Sequence, residues 1–255
     1  MRKRGAWRAR SWPWPTNSVK NFLSGRHMEV TALIPMKGFR NAKQRLSPLL
    51  HGGQREQLAE VMFRDVLKQT VRAAGLVETV VVTGDGKVAR IASSLGARVM
   101  REDAENGETG AVDFARRELK RTGREAVLIM PGDMPLIRAE DIEQVLAQVP
   151  ETAAAPFALL VPSHDRMGTN ALLLAPPDII KLRFGFDSFS YHLGQVSAQG
   201  LPLRFFENER IALDIDDPKD LERFLSFDNE DIESMRAGHA MLADHGEKIR
   251  RSGGL

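Results

Sequence analysis

The chain has 255 residues, 42% hydrophobic and 27% charged, which is the length and composition of one large folded domain, alone or with tails, and excludes a disordered protein. It contains no cysteine, which excludes disulfides, thiolate metal sites and cysteine nucleophiles and fits a reducing, cytoplasmic setting. No apolar run approaches the ~20 residues that span a bilayer, and a formal charge of +2 does not mark a nucleic-acid binder.

Residues 1–27 stand apart from the rest. They hold Arg2, Lys3, Arg4, Arg8, Arg10, Lys20 and Arg26 without one acidic residue, and Trp7, Trp12 and Trp14 around Pro13 and Pro15. The remainder is therefore net acidic. Such a segment reads as a disordered tail or as sequence ahead of a start at Met28. It lacks the apolar stretch and cleavage site of a targeting peptide. A membrane-surface or nucleic-acid arm is the third reading of its charge and aromatics, although nothing in the remainder points to either partner.

From Met28 the pattern is orderly. Val30–Ile34, Val80–Thr83, Ala97–Met100 and Ala126–Met130 are short apolar runs suited to buried parallel strands. Between them residues 54–74, 87–95 and 109–121 carry helical spacing. Strand and helix in alternation predict a doubly wound α/β fold with helices on both faces of the sheet. Ligands in such folds bind beyond the carboxyl ends of the strands, so the loops after Ile34, Val82 and Met130 should share one rim. The second half is less regular. Residues 158–161, 171–174, 202–206 and 211–215 read as strands, 188–199 as a helix, and a further helix opens at Pro218. A domain over 28–226 is expected, with a charged helical extension over 227–255 that packs on the domain or on the partner subunit of a homodimer.

Four segments carry chemistry. The loop from Pro35 to Pro48 places Lys37, Arg40, Lys43 and Arg45 within nine residues beside Gly38, a cationic cradle for a polyphosphate. It has neither the Walker A ending nor the Rossmann fingerprint, and a solvated basic loop is the alternative reading. Asp133 follows an apolar strand between Gly132 and a proline turn, where a carboxylate can coordinate Mg²⁺. The alternative there is helix capping, for which Glu140 and Asp141 stand closer. Asp214 and Asp216 alternate along an expected strand end and so face the same way, an arrangement costly without a cation between them. Asp217 then caps the Pro218 helix. Gly168, Thr169 and Asn170 form a turn rich in donors, and Ser188 lies at a helix N-terminus that favours an anion. His192 falls on the same helical face as Ser188.

The segments Pro35-Met-Lys-Gly38, Ala42-Lys-Gln-Arg-Leu-Ser-Pro48, Pro131-Gly-Asp-Met-Pro-Leu136, Gly168-Thr-Asn-Ala-Leu172, Phe184-Gly-Phe-Asp-Ser-Phe189 and Asp214-Ile-Asp-Asp-Pro218 occur in this order. Together, over roughly Met28 to Leu225, they resemble the 2-phospho-L-lactate guanylyltransferase family of coenzyme F-420 biosynthesis. The resemblance implies a mixed, mostly parallel sheet of the nucleotide-diphospho-sugar transferase, glycosyltransferase-A type. It implies transfer of GMP from GTP to a small phospho-acid (2-phospho-L-lactate, phosphoenolpyruvate or 3-phospho-D-glycerate) with release of pyrophosphate. By motif, Asp133, Asp214 and Asp216 would hold magnesium, Thr169, Gly185, Ser188 and Asn170 the acceptor, and Lys37, Lys43 and Arg45 the triphosphate. The chain departs from the family over Asn106–Val112, which bears on the base, and at Met167, which bears on the acceptor pocket. A sugar-phosphate or molybdopterin nucleotidyltransferase of the same fold would carry a richer glycine loop after the first strand, where only Gly38 stands here. A non-catalytic nucleotide-binding relative would have no need of all three aspartates.

Overall fold

In the computed structural model, residues 28–102, 107–149, 156–227, 229 and 231–252 are described; the 1–27 tail and Asn106 lie outside them. Six strands form one sheet in the order β3-β2-β1-β4-β6-β5. They are β1 (Val30–Pro35), β2 (Leu76–Thr83), β3 (Arg98–Arg101), β4 (Ala126–Ile129), β5 (Phe157–Pro162) and β6 (Thr169–Ala175). β1, β2, β3 and β4 pair in parallel, while β6 runs antiparallel to both β4 and β5. The sheet is thus mixed and mostly parallel, as the family resemblance implied.

Alternation along the strands sends side chains to two apolar layers. Ala32, Ile34 and Leu128 join Phe63, Val66 and Leu67 of α1 (Gly52–Arg72), Val88 and Ile91 of α2 (Gly86–Ser94), and Ile142 of α4 (Ala139–Leu146). On the other face, Leu33, Val127 and Ile129 meet Val112, Ala115 and Leu119 of α3 (Gly107–Arg121) and Val196 of α5 (Ser188–Ala198). A third cluster lies on the outer side of α1. There Leu58 and Met62 pack with Leu213, Ile215, α6 (Pro218–Leu225) and Met235 of α7 (Glu233–Ser252). Ser234 N–H also donates to Asp65 at 2.8 Å, and Lys68 pairs with Glu233 at 3.0 Å, so the start of α7 packs on α1 of its own chain. Among the described residues, no helix is long and apolar enough to cross a membrane.

Two expected strands are corrected. Residues 202–206 contribute a single bridge, Phe205 to Leu160, because only Arg204 and Phe206 reach the edge of β5 with backbone hydrogen bonds. Residues 211–215 form no strand. Ile211, Leu213 and Ile215 are buried in alternation, but their segment pairs with no neighbouring strand and is held by turns and loops. Its periodicity reports burial, not sheet pairing.

Candidate active site

The rim is built as the topology requires. β1, β2 and β4 end side by side, so the loops after Pro35, Thr83 and Ile129 line one cleft of about 820 Å³. The first loop supplies Lys37, Gly38 and Arg40, the second Gly84 and Asp85, and the third Gly132 and Asp133. Gly132 is pressed into the fold: a Cβ there would stand 3.1 Å from Phe63 and 3.3 Å from Met36. Gly38 lies against Asp85, whose Oδ2 would be 2.8 Å from an added Cβ. That carboxylate is fixed by its other oxygen, which caps α2 by accepting from Lys87 and Val88 N–H.

A second cleft, of about 550 Å³, opens on the other side of Asp133. It is lined by the 163–168 turn, the 184–188 loop, the segment from Asp214 to Asp220, and Thr169 and Asn170, which were expected in the turn but open β6 because the chain is already paired with β5 there. Asp133, Asp216, Arg45 and Glu108 border both the second cleft and the rim cleft or its neighbour around the Lys43 loop.

The three aspartates come together by backbone ties. Ile215 N–H donates to the Asp133 carbonyl at 3.2 Å, which draws the Asp214–Asp216 segment against the loop after β4. Lys43 stands at the junction, its Nζ 2.5 Å from Asp133 Oδ2 and 3.0 Å from Asp216 Oδ1, with only 9% of its side chain exposed. Burial opposes its charge, but the pairs with Asp133 and Asp216 outweigh this and raise its pKa. Its backbone is left-handed, with φ 52°. A non-glycine residue in that region costs about 1 kcal/mol or more, and here two ion pairs hold it. Arg45 lies 3.7 Å from Asp216 on an exposed side chain.

The carboxylates are unequal. Burial, then the charge of Asp133, push Asp214 up to about 6, partly countered by the Asn170 amide. Burial also disfavours the Asp216 charge, but Lys43 and Arg45 hold its pKa below the usual carboxylate range. Asp133 Oδ1 is buried and has no hydrogen-bond partner among the described residues. Among the described residues, no three carboxylates already stand at metal-ligand spacing, and the cation between Asp133 and Asp216 in the structure is the Lys43 ammonium. Asp217 caps α6 by accepting from Lys219 and Asp220 N–H, and Asp141 is the return partner of the α4 cap, as their positions suggested.

The residues expected to hold an acceptor line the second cleft, with one change of role. Asn170 donates its amide to the Ile211 carbonyl and to Asp214 Oδ1, both at 3.0 Å, so it positions an aspartate. Thr169 Oγ1 lies 3.0 Å from His192 Nδ1, and Thr169 N–H donates to Ser188 Oγ at 3.1 Å. Gly185, at φ 98°, makes the turn before α5. The first two amides of α5 are already engaged: Ser188 N–H reaches Gly185 O, and Phe189 N–H reaches Met167 O. Ser188 itself lines the cleft at the helix start.

Two residues were not singled out from sequence. Glu108, at the mouth between the clefts, is exposed, yet desolvation in that concave site and then the Asp133 charge raise its pKa. Glu102, just beyond β3, lines the rim cleft, and its buried Oε1 has no hydrogen-bond partner among the described residues. Glu102, a lone acidic residue at a strand end, carries no pattern that could have marked it; Glu108, in the first turn of α3, falls within the Asn106–Val112 departure but has no pattern of its own.

A family model described as "Guanylyl transferase CofC like" matches residues 30–235. The phosphoenolpyruvate guanylyltransferase of Conexibacter woesei is 35% identical over 213 residues, 84% of this chain and 93% of that protein. The 2-phospho-L-lactate guanylyltransferase of Methanothermobacter thermautotrophicus is 33% identical, covering 76% of this chain and 83% of its own. The 3-phospho-D-glycerate guanylyltransferase of Colwellia psychrerythraea is 32% identical, covering 76% and 90%. Among solved structures, one described as a nucleotide-diphospho-sugar transferase from Desulfovibrio desulfuricans G20 superposes with a TM-score of 0.69 at 16% identity, over 86% of this chain and 98% of that one. That likeness shows the fold.

Proposed function

The chain belongs to the guanylyl transferase CofC-like family, and on that premise we propose that it transfers GMP from GTP to the phosphate of a small phospho-acid, in the cytoplasm, as a step of coenzyme F-420 biosynthesis. The acceptor class is the one its relatives are named for: phosphoenolpyruvate, 2-phospho-L-lactate or 3-phospho-D-glycerate. One observation carries the reading: a cleft with a cationic loop and a cleft with buried hydroxyls meet at Asp133.

In this reaction an acceptor phosphate oxygen attacks the α-phosphorus of GTP. The bond from the α-phosphorus to the oxygen bridging to the β-phosphate breaks, and pyrophosphate leaves with the electron pair. A phosphate monoester is already ionised near neutral pH, so no strong base is required. The obstacle is repulsion between two polyanions. Lys37 and Arg40 flank the triphosphate, Gly38 and Gly132 let backbone approach it, and Lys43 and Arg45 offset charge at the junction.

Asp133, Asp214 and Asp216 suit a magnesium ion. Their oxygens are hard ligands, Asp133 Oδ1 has no partner among the described residues, and Asp214 is an under-neutralised carboxylate beside Asp133. Magnesium bound there supplies positive charge to the reacting and leaving oxygens. Asn170 orients Asp214 for that role, and Lys43 keeps Asp133 and Asp216 from repelling one another while no ion is bound.

We place the base in the rim cleft beside Glu102, whose carboxylate can accept from the two N–H donors on one edge of guanine, whereas adenine presents an acceptor there.

The test is magnesium-dependent pyrophosphate release with each of four NTPs against the three phospho-acids. GTP with one of these acceptors should give turnover. A folded protein silent with all twelve pairs would overturn the reading.

A further inference from the structure

We propose that His192 is a positioning residue that fixes the hydroxyl proton of Thr169, so that Thr169, like Ser188, presents an O–H donor to the second cleft, suited to the carboxylate or phosphate oxygens of the acceptor. The inference deepens the proposed function and rests on its assignment of that cleft.

The imidazole is wholly buried, edge-on to Phe184 at 5.4 Å and to Tyr191 at 5.8 Å. Arg183 N–H donates to its Nε2 at 3.3 Å. A ring nitrogen that accepts carries no proton, so a neutral ring holds its hydrogen on Nδ1. Burial, and then the charges of Arg183 and Arg116, keep the ring neutral by pushing its pKa down to about 4. Nδ1 lies 3.0 Å from Thr169 Oγ1. The threonine oxygen thus receives a hydrogen bond, and its own proton is left for another acceptor. Ser188 repeats the logic: its Oγ accepts Thr169 N–H at 3.1 Å, which leaves its O–H to donate. Both residues line the cleft. The amides of Ser188 and Phe189 have carbonyl partners, and Arg45 and Lys219, which also line the cleft, add positive charge that also favours an anion. Two hydroxyls that each already accept one hydrogen bond inside the fold keep their protons free for an anion in the cleft.

Two measurements test this. In ¹⁵N-imidazole spectra of the whole protein, His192 should be the Nδ1-protonated tautomer, and its resonances should shift when phosphoenolpyruvate, or inorganic phosphate as a simpler probe, is titrated in. An Nε2-protonated ring, or resonances indifferent to both anions, overturns the proposal without reference to turnover. In kinetics, His192→Phe should raise the KM for the acceptor by roughly tenfold or more, the worth of one hydrogen bond to a charged group, and leave the KM for GTP within about twofold. His192→Asn, whose amide nitrogen lies near the Nδ1 position, should recover most of that loss. An unchanged acceptor KM in a folded His192→Phe protein, or an equal rise for GTP, refutes the positioning role; if the Phe variant does not fold, the Asn variant and the spectra decide. A wild-type protein that turns over none of the three phospho-acids, while its spectrum shows the Nδ1 tautomer and the anion shift, sinks the proposed function and not the donor arrangement.

Discussion

Lys43 Nζ lies 2.5 Å from Asp133 Oδ2, although 90 residues separate them in the chain. The pair joins the cationic loop to the carboxylate at the meeting point of the two clefts. Asp133→Asn keeps the shape of that contact and removes the charge, while Lys43 retains Asp216. Loss of one such electrostatic element typically costs ~10²–10³ in rate. We expect kcat to fall by that much with an unchanged circular-dichroism spectrum; near-normal turnover in the folded variant would exclude Asp133 from the chemistry.

Gly38 tests the cradle. A methyl group there would meet Asp85 Oδ2 at 2.8 Å, and Asp85 cannot swing aside without uncapping α2. Gly38→Ala should therefore displace the loop and raise the KM for GTP by about tenfold or more, with a smaller effect on the acceptor KM. Loss of a cap such as that of α2 is worth ~1 kcal/mol, so global stability should change little. Steady-state kinetics with each substrate varied in turn measure the split.

Glu102 tests the base. Glu102→Gln keeps the size of the side chain and offers a donor where guanine also donates. The ratio of kcat/KM for GTP over ATP should fall by roughly tenfold or more, in line with the cost of an unmatched polar contact. An unaltered ratio would remove Glu102 from base selection.

His192 also has a consequence for stability. Its folded pKa of about 4 lies below the ordinary 6.5. Between those values the unfolded chain binds a proton that the folded chain excludes, so stability falls as pH drops from about 6.5 towards 4 and levels off below. The groups opposing that proton are the guanidinium groups of Arg183 and Arg116. The full span is on the order of 3 kcal/mol. Urea unfolding at pH 7 and pH 4.5 should show a steeper loss in the wild type than in His192→Asn; equal losses would contradict the assignment.

Met235, 2% exposed in the cluster on the outer side of α1, tests the C-terminal packing. Met235→Ala should cost about 2–5 kcal/mol, the range for such truncations in a core, without altering either KM. A loss under 1 kcal/mol would mean that α7 is an accessory to the fold.

The apolar cores of β1, β2 and β4 were legible because strands buried on both faces leave continuous apolar runs, and their shared rim follows from parallel connection. Residues 211–215 misled because alternate burial of Ile211, Leu213 and Ile215 has the same period as a strand. The convergence of Asp214 and Asp216 on Asp133 was right, yet its cause is a backbone hydrogen bond from Ile215 and the amide of Asn170. Asn170 was legible as a donor but not as a strand residue: it opens β6 instead of lying in a turn, and its target is set by how that strand start sits on the 211–214 segment. Lys43 read as one cation among four; its burial between two acids depends on a left-handed backbone that periodicity does not express. The start of α7 packs against α1 through Asp65 and Lys68, contacts between segments too remote for any local pattern to register.

The bond from Ile215 to the Asp133 carbonyl joins an early half of the polypeptide to one made much later. A growing chain that has passed β4 still lacks two of the three acids and one of the two partners that hold Lys43. The set of carboxylates is complete only once the stretch around Ile215 has docked on the loop after β4.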